Sequence, residues 1–166
     1  MLRLSLAALH LLALGIGLGA VWARARALGG ELDDGALRRA FTADSWWGIA
    51  ALLWLVTGLW RLLAGTEKLT SYYMHNHVFF AKMGLFVLVL VLEVWPMTKL
   101  IRWRIAVRRG IANGGGTANG VTDPGIDAAD VATARRISAI SYVEAAIIVL
   151  IVIAAVTMAR GYGVTG

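Results

Sequence analysis

Residues 75–96 read HNHVFFAKMGLFVLVLVLEVWP, an apolar run of membrane length with Lys82 just inside one end and Glu93 near the other. About 20 apolar residues in a helix cross a bilayer core, so this stretch predicts a transmembrane helix. Ionisable groups at such depth cost roughly 2.5 to 3.5 kcal/mol each on insertion scales, so each needs a partner or a task. His75, Lys82 and Glu93 are separated by seven and eleven residues. Those spacings are close to whole numbers of turns and set the three on one stripe. Phe86 and Val89 fill the stripe between the charges, while His77 points roughly 140° away from Lys82. The stripe is expected to face the interior of a helical bundle.

Composition agrees. The 166 residues are 59% hydrophobic, with a mean hydropathy of +0.72, well beyond the roughly 45–50% apolar content of soluble domains. One domain over residues 1–166 is expected. The absence of cysteine excludes disulfides, thiolate metal sites and cysteine nucleophiles. A net charge of +6 would suit nucleic acid. The basic residues, however, crowd beside apolar runs in two segments, the pattern of cytoplasmic membrane loops. The expected partner is the lipid bilayer, and no nucleic acid.

Outward from that stretch, the remaining spans follow in order. Residues 4–23 form the first, with His10 its only ionisable group and Gly17 seven residues on, on the same face. The run is too long for a signal-peptide core, and the Ala-Arg-Ala-Arg that follows favours retention on the cytoplasmic side. Gly15 and Gly19 make a GxxxG pair that permits close helix approach and pairing of copies into a homo-oligomer. A polar connection follows, with Asp44 or Ser45 as the cap of the second span, 46–64, whose tryptophans suit interfacial anchoring. The third span covers 76–98, with Pro96 expected to kink or end it. A basic, partly amphipathic segment continues beyond it. Residues 110–126, rich in Gly, Thr, Asn and Pro, read as a flexible loop, and 137–158 as the fourth span. The expected fold class is all-α, an integral membrane four-helix bundle.

Lys and Arg set the orientation. Four follow span one and seven follow span three, against four on the other side. Both basic loops are therefore expected in the cytoplasm and both termini outside. In that topology His10 and Lys82 lie about 9 Å and 6 Å of helix rise from the outer ends of their spans. Glu93 and Glu144 fall toward the cytoplasmic half. Two polar layers are expected, a His/Lys layer outside and a carboxylate layer inside.

Each candidate has two readings. His10 is a ligand for haem or another metal, with Gly17 leaving room for a flat macrocycle, or a residue hydrogen-bonded across helices. Lys82 orients a cofactor, ligates a metal, acts catalytically or shuttles protons, or snorkels to the headgroups. His75 and His77 bind copper or another transition metal at the outer mouth, or belong to an ordinary interfacial loop. Glu93 and Glu144 serve a proton path, or pair with Arg102, Arg135 or Arg136 near the inner surface. No nucleophile–base arrangement, phosphate loop or zinc protease signature occurs.

The segments ALHLLALGIGLGAVWARARAL, WWGIAALLWLVTGLWR and YYMHNHVFFAKMGLFVLVLVLEVWPM resemble a bacterial family of predicted membrane proteins, domain-of-unknown-function family 2214. That likeness implies a four-helix, multi-pass protein of the bacterial inner membrane. More distantly, Ala8-Leu9-His10, Lys82-Met83-Gly84-Leu85 and Arg135-Arg136-Ile137 are similar to matching places in HemJ-type protoporphyrinogen oxidases. There, the resemblance implies, the histidine and lysine go with haem and activity. It points to a haem-b-binding oxidoreductase with His10 as axial ligand. Lys82, His75 or His77 would be the second ligand or orienting group, and a quinone or porphyrin-like compound the substrate. The HNH and EVWP elements depart from that pattern. Against it stands a non-enzymatic copper- or ion-handling membrane protein, or a structural accessory subunit.

Overall fold

A computed structural model describes residues 2–63, 77–112 and 128–160. His75 and most of the expected loop 110–126 lie outside the described residues. Those described form four helices: α1 (Leu2–Leu28), α2 (Asp34–Leu63), α3 (His77–Ala112) and α4 (Ala128–Ala159). Within them the protein is all-α. Helix α1 packs along α2 on one side and α4 on the other, α4 packs along α3, and α3 meets α2 at a few places. Helices α1 and α3 therefore stand diagonally across a four-helix bundle.

The helices run on past the expected spans. Helix α1 continues to Leu28, five residues beyond the expected end, because its ARARAL sequence interleaves small, helix-favouring alanines with arginines. Helix α2 begins at Asp34, not near Asp44. Its cap is Asp33, whose side chain accepts the Ala36 amide while its carbonyl takes the Leu37 amide at 3.0 Å. Asp44, expected as a cap, is instead in mid-helix. Helix α3 does not end at Pro96, which is buried inside it. Proline removes one backbone hydrogen bond, and the packing of Glu93 before it and Leu100 after it holds the helix through that gap. The ends 110–112 of the expected loop are helical as well.

Three helices carry stretches long and apolar enough to cross a membrane: Leu4–Leu28, His77–Arg109 and Asp130–Met158. Helix α2, at 30 residues, is also long enough to cross a bilayer core. Most large apolar side chains point outward, among them Leu11, Leu52, Val91 and Ile153. That inside-out arrangement is stable only in lipid. At 1.5 Å per residue α3 is about 54 Å long, against a hydrocarbon core of about 30 Å. Part of the bundle therefore stands beyond the bilayer.

The interior is layered. One apolar cluster joins Val21, Trp47, Val89, Ile148 and Ile151. A second joins Leu28, Ala40, Leu100, Ala134 and Ile137. Between the two lie the charged side chains.

Candidate functional site

The centre of the charged layer is Arg24, fully buried on α1 and seven residues beyond Gly17 on the same face. It was expected in a cytoplasmic loop; because α1 continues, the helix turns it inward. Its Nη1 and Nη2 donate to Glu93 Oε1 and Oε2 of α3, each at 2.6 Å, a two-pronged pair. Nη2 also donates to Glu144 Oε2 of α4 at 2.8 Å, and Nη1 to Asp44 Oδ1 of α2 at 3.2 Å. Nε donates to Ser141 Oγ at 3.0 Å. A guanidinium has five N–H groups, and these contacts match that capacity. All four helices meet on one side chain.

The carboxylates remain under-served. Glu144 is fully buried and its Oε1 has no hydrogen-bond partner among the described residues. Glu93 and Glu144 share Nη2, which holds two carboxyl groups side by side. Asp44 also receives Arg104 Nη2 at 3.4 Å, and Arg104 is held over the Phe41 ring, 5.2 Å from its centroid. Exposure falls inward in steps: the side chains of Arg104, Asp44, Glu93 and Glu144 are 31%, 12%, 11% and 0% exposed. Glu93 and Glu144 thus pair with Arg24 and not with Arg102, Arg135 or Arg136, all three of which are exposed. A metal does not suit this cluster. Among the described residues no three His, Asp or Glu groups could hold one, and a guanidinium stands where a cation would be.

The outer layer is smaller. His10 Nδ1 is 2.9 Å from Thr57 Oγ1 on α2. The Thr57 hydroxyl donates to the Leu53 carbonyl at 2.6 Å, so it accepts the hydrogen on Nδ1. The imidazole stacks on Trp54, with centroids 5.6 Å apart, and a Cβ added at Gly58 would meet its Cε1 at 3.1 Å. Gly17, expected to make room for a macrocycle, makes room for a tryptophan: a Cβ there would meet Trp47 at 3.1 Å. The apolar recess between Gly17, Trp47, Trp54 and Ile148 has a volume of about 10 Å³, room for one water at most. As packed, these residues do not fit haem.

The stripe on α3 faces inward as expected, with Lys82 and Phe86 half-buried and Val89 and Glu93 buried. The Lys82 ammonium lies 5.5 Å from the centroid of the Phe79 ring, one turn back on its own helix. His77 is exposed at the start of α3. Its expected copper partner, His75, lies outside the described residues. Arg24 is the functional residue that sequence reading missed. The signal was present, since His10, Gly17 and Arg24 repeat every seven residues.

Residues 2–163 match the model of the family "Predicted membrane protein (DUF2214)", and the chain belongs to that family. No curated protein and no solved structure matches it.

Proposed function

We propose that this membrane protein handles protons, and that the carboxyl pair Glu93–Glu144 on Arg24 is where a proton binds and leaves. The carrying observation is the buried Glu144 Oε1 without a partner, beside an arginine whose donors are all engaged. Counted as ionised, Arg24 and Arg104 face Asp44, Glu93 and Glu144, which leaves one negative charge in excess. An uncompensated buried charge is costly, and a proton on Glu144 removes it. The inward fall in exposure gives that proton a way in, past Arg104 and Asp44. In the bacterial inner membrane, with both basic loops cytoplasmic, this route opens on the cytoplasmic side. Arg24 and Arg104 leave the loop count, and the remaining nine basic residues against four still favour that orientation.

The test is an infrared pH titration of the purified protein. A protonated-carboxyl band that disappears on alkalinisation, and is missing in Glu144→Gln, supports the reading. Its absence in the wild-type protein, or its persistence in the variant, overturns it.

A redox reading, haem b with His10 as axial ligand, has one observation in its favour. Thr57 fixes the imidazole through Nδ1, as outer-shell partners of ligating histidines do. It requires the packing around Trp47 and Trp54 to open, with Lys82 as the orienting or catalytic group and a quinone or porphyrin as substrate. A Soret band that His10→Ala removes supports it; a featureless reduced-minus-oxidised spectrum ends it.

A further inference from the structure

The two connections at the inner end differ in charge. On the α1–α2 side, exposed Arg26, Arg38 and Arg39 are matched by Glu31, Asp33 and Asp34, and Arg39 approaches Asp33 at 3.9 Å. On the α3–α4 side, Arg102, Arg108, Arg109, Arg135 and Arg136 are all exposed, and none pairs with a carboxylate among the described residues. The one described acid on that side, Asp130, accepts the Trp103 indole N–H at 3.1 Å.

The arginines are grouped. On α3, Arg102, Arg108 and Arg109 share the outward stripe with Ile101 and Ile105, which are 44% and 43% exposed. Leu100 packs with Ala134 and Ile137, which sets Arg135 and Arg136 of α4 at the height of Arg102. A 30 Å hydrocarbon core measured from His77 ends after about 20 residues, just before this stripe. Two exposed isoleucines among arginines at that depth have one comfortable setting. The isoleucines lie at the acyl boundary and the guanidiniums at the phosphates.

From this we infer that the α3–α4 face at the inner end of the bundle, centred on Arg102, Arg108 and Arg109, binds anionic phospholipid headgroups. Guanidinium forks match phosphate oxygens in pairs. The attractions of basic residues near an anionic surface add, so three together select for it. The balanced α1–α2 side has no such preference. This inference does not depend on the proton site.

The test uses the full chain purified in detergent micelles doped with equal phosphatidylglycerol and phosphatidylcholine, followed by measurement of the lipid retained. The wild-type protein is expected to keep phosphatidylglycerol roughly tenfold or more over phosphatidylcholine at low salt, with the ratio falling as salt rises. The triple variant R102Q/R108Q/R109Q is expected to bring the ratio close to one, and R38Q/R39Q to leave it unchanged. Equal retention of the two lipids by the wild-type protein overturns the inference without recourse to any variant. So does a triple variant that keeps the preference, or a double variant that loses it as fully.

Discussion

Two polar layers cross this bundle, and they are built on different physical terms. The inner one gathers a buried arginine, three carboxyl groups and Ser141 from four helices, through contacts of 2.6 to 3.2 Å. The outer one joins two helices through a histidine, a threonine and a tryptophan. The inner layer carries more ionic groups than it can pair internally; in the outer layer His10 is held by hydrogen bonding and ring stacking, and the Lys82 ammonium lies over the Phe79 ring. An excess of charge is the mark of a group that exchanges an ion, whereas neutral satisfaction is the mark of a joint between helices. On the proton reading, that contrast puts the exchange chemistry at Glu144 and makes His10 a joint between helices.

The largest expected effect breaks the inner layer at its centre. Arg24→Met strands three carboxyl groups without their shared cation, a loss of about 3–5 kcal/mol. Thermal melting in detergent should show it, or the folded yield should collapse. Arg24→Lys should rescue little, because an ammonium has three donors and no planar fork. Adding Glu93→Gln and Glu144→Gln to Arg24→Met should recover much of the loss, since the charges then leave together. A triple variant as unstable as the single one would mean that packing, and not charge, holds this layer.

The next effect separates the two glutamates. Glu93→Gln forfeits a two-pronged ionic pair and should cost roughly 2–3 kcal/mol. Glu144→Gln replaces a carboxyl by its neutral isostere and should cost less than about 1 kcal/mol, if Glu144 already holds a proton. Equal losses in melting experiments would sink the asymmetry on which the proton reading stands. In the outer layer, His10→Ala removes one hydrogen bond and a stacked ring, worth about 1–2 kcal/mol. Thr57→Val should give the hydrogen-bond share alone, nearer 1 kcal/mol.

How much of this the sequence carried follows from residue spacing. The inward stripe of α3 was legible because Lys82, Val89 and Glu93 interrupt or fill a uniformly apolar helix at turn-spaced positions. The carboxylate layer was legible from the shared depth of Glu93 and Glu144. Arg24 was not, because the eye ends a membrane span at its first arginine, and an arginine beside a second one reads as a loop. The seven-residue step from His10 through Gly17 carried the correct answer. Asp44 failed for the related reason that a polar residue before a tryptophan pair looks like a cap. Asp33, with a second aspartate in the first turn and the helix-favouring Ala36-Leu37-Arg38-Arg39-Ala40 after it, was the better candidate. The partners of Glu93 and Glu144 were beyond periodicity, since spacing fixes the face of one helix and says nothing of which neighbour meets it.

The remaining effects sit on α1, where alternate glycines do opposite work. Gly17 points into the bundle, and a Cβ there would lie 3.1 and 3.3 Å from two ring carbons of Trp47. Gly17→Ala should therefore force that indole to shift, at about 1–3 kcal/mol. Gly15 and Gly19, the pair that looks made for helix contact, open onto nothing within 4 Å among the described residues. Gly15→Ala should be neutral or stabilise the single chain by up to about 1 kcal/mol, since alanine is the better helix former. The sign decides more than its size suggests. A destabilised Gly15→Ala whose loss depends on protein concentration would show that copies pair through this face, because the described residues of a single chain offer nothing for the methyl to strike. A concentration-independent, neutral result would mean that close packing on α1 belongs to Gly17 and Trp47, on the apolar floor between the two polar layers.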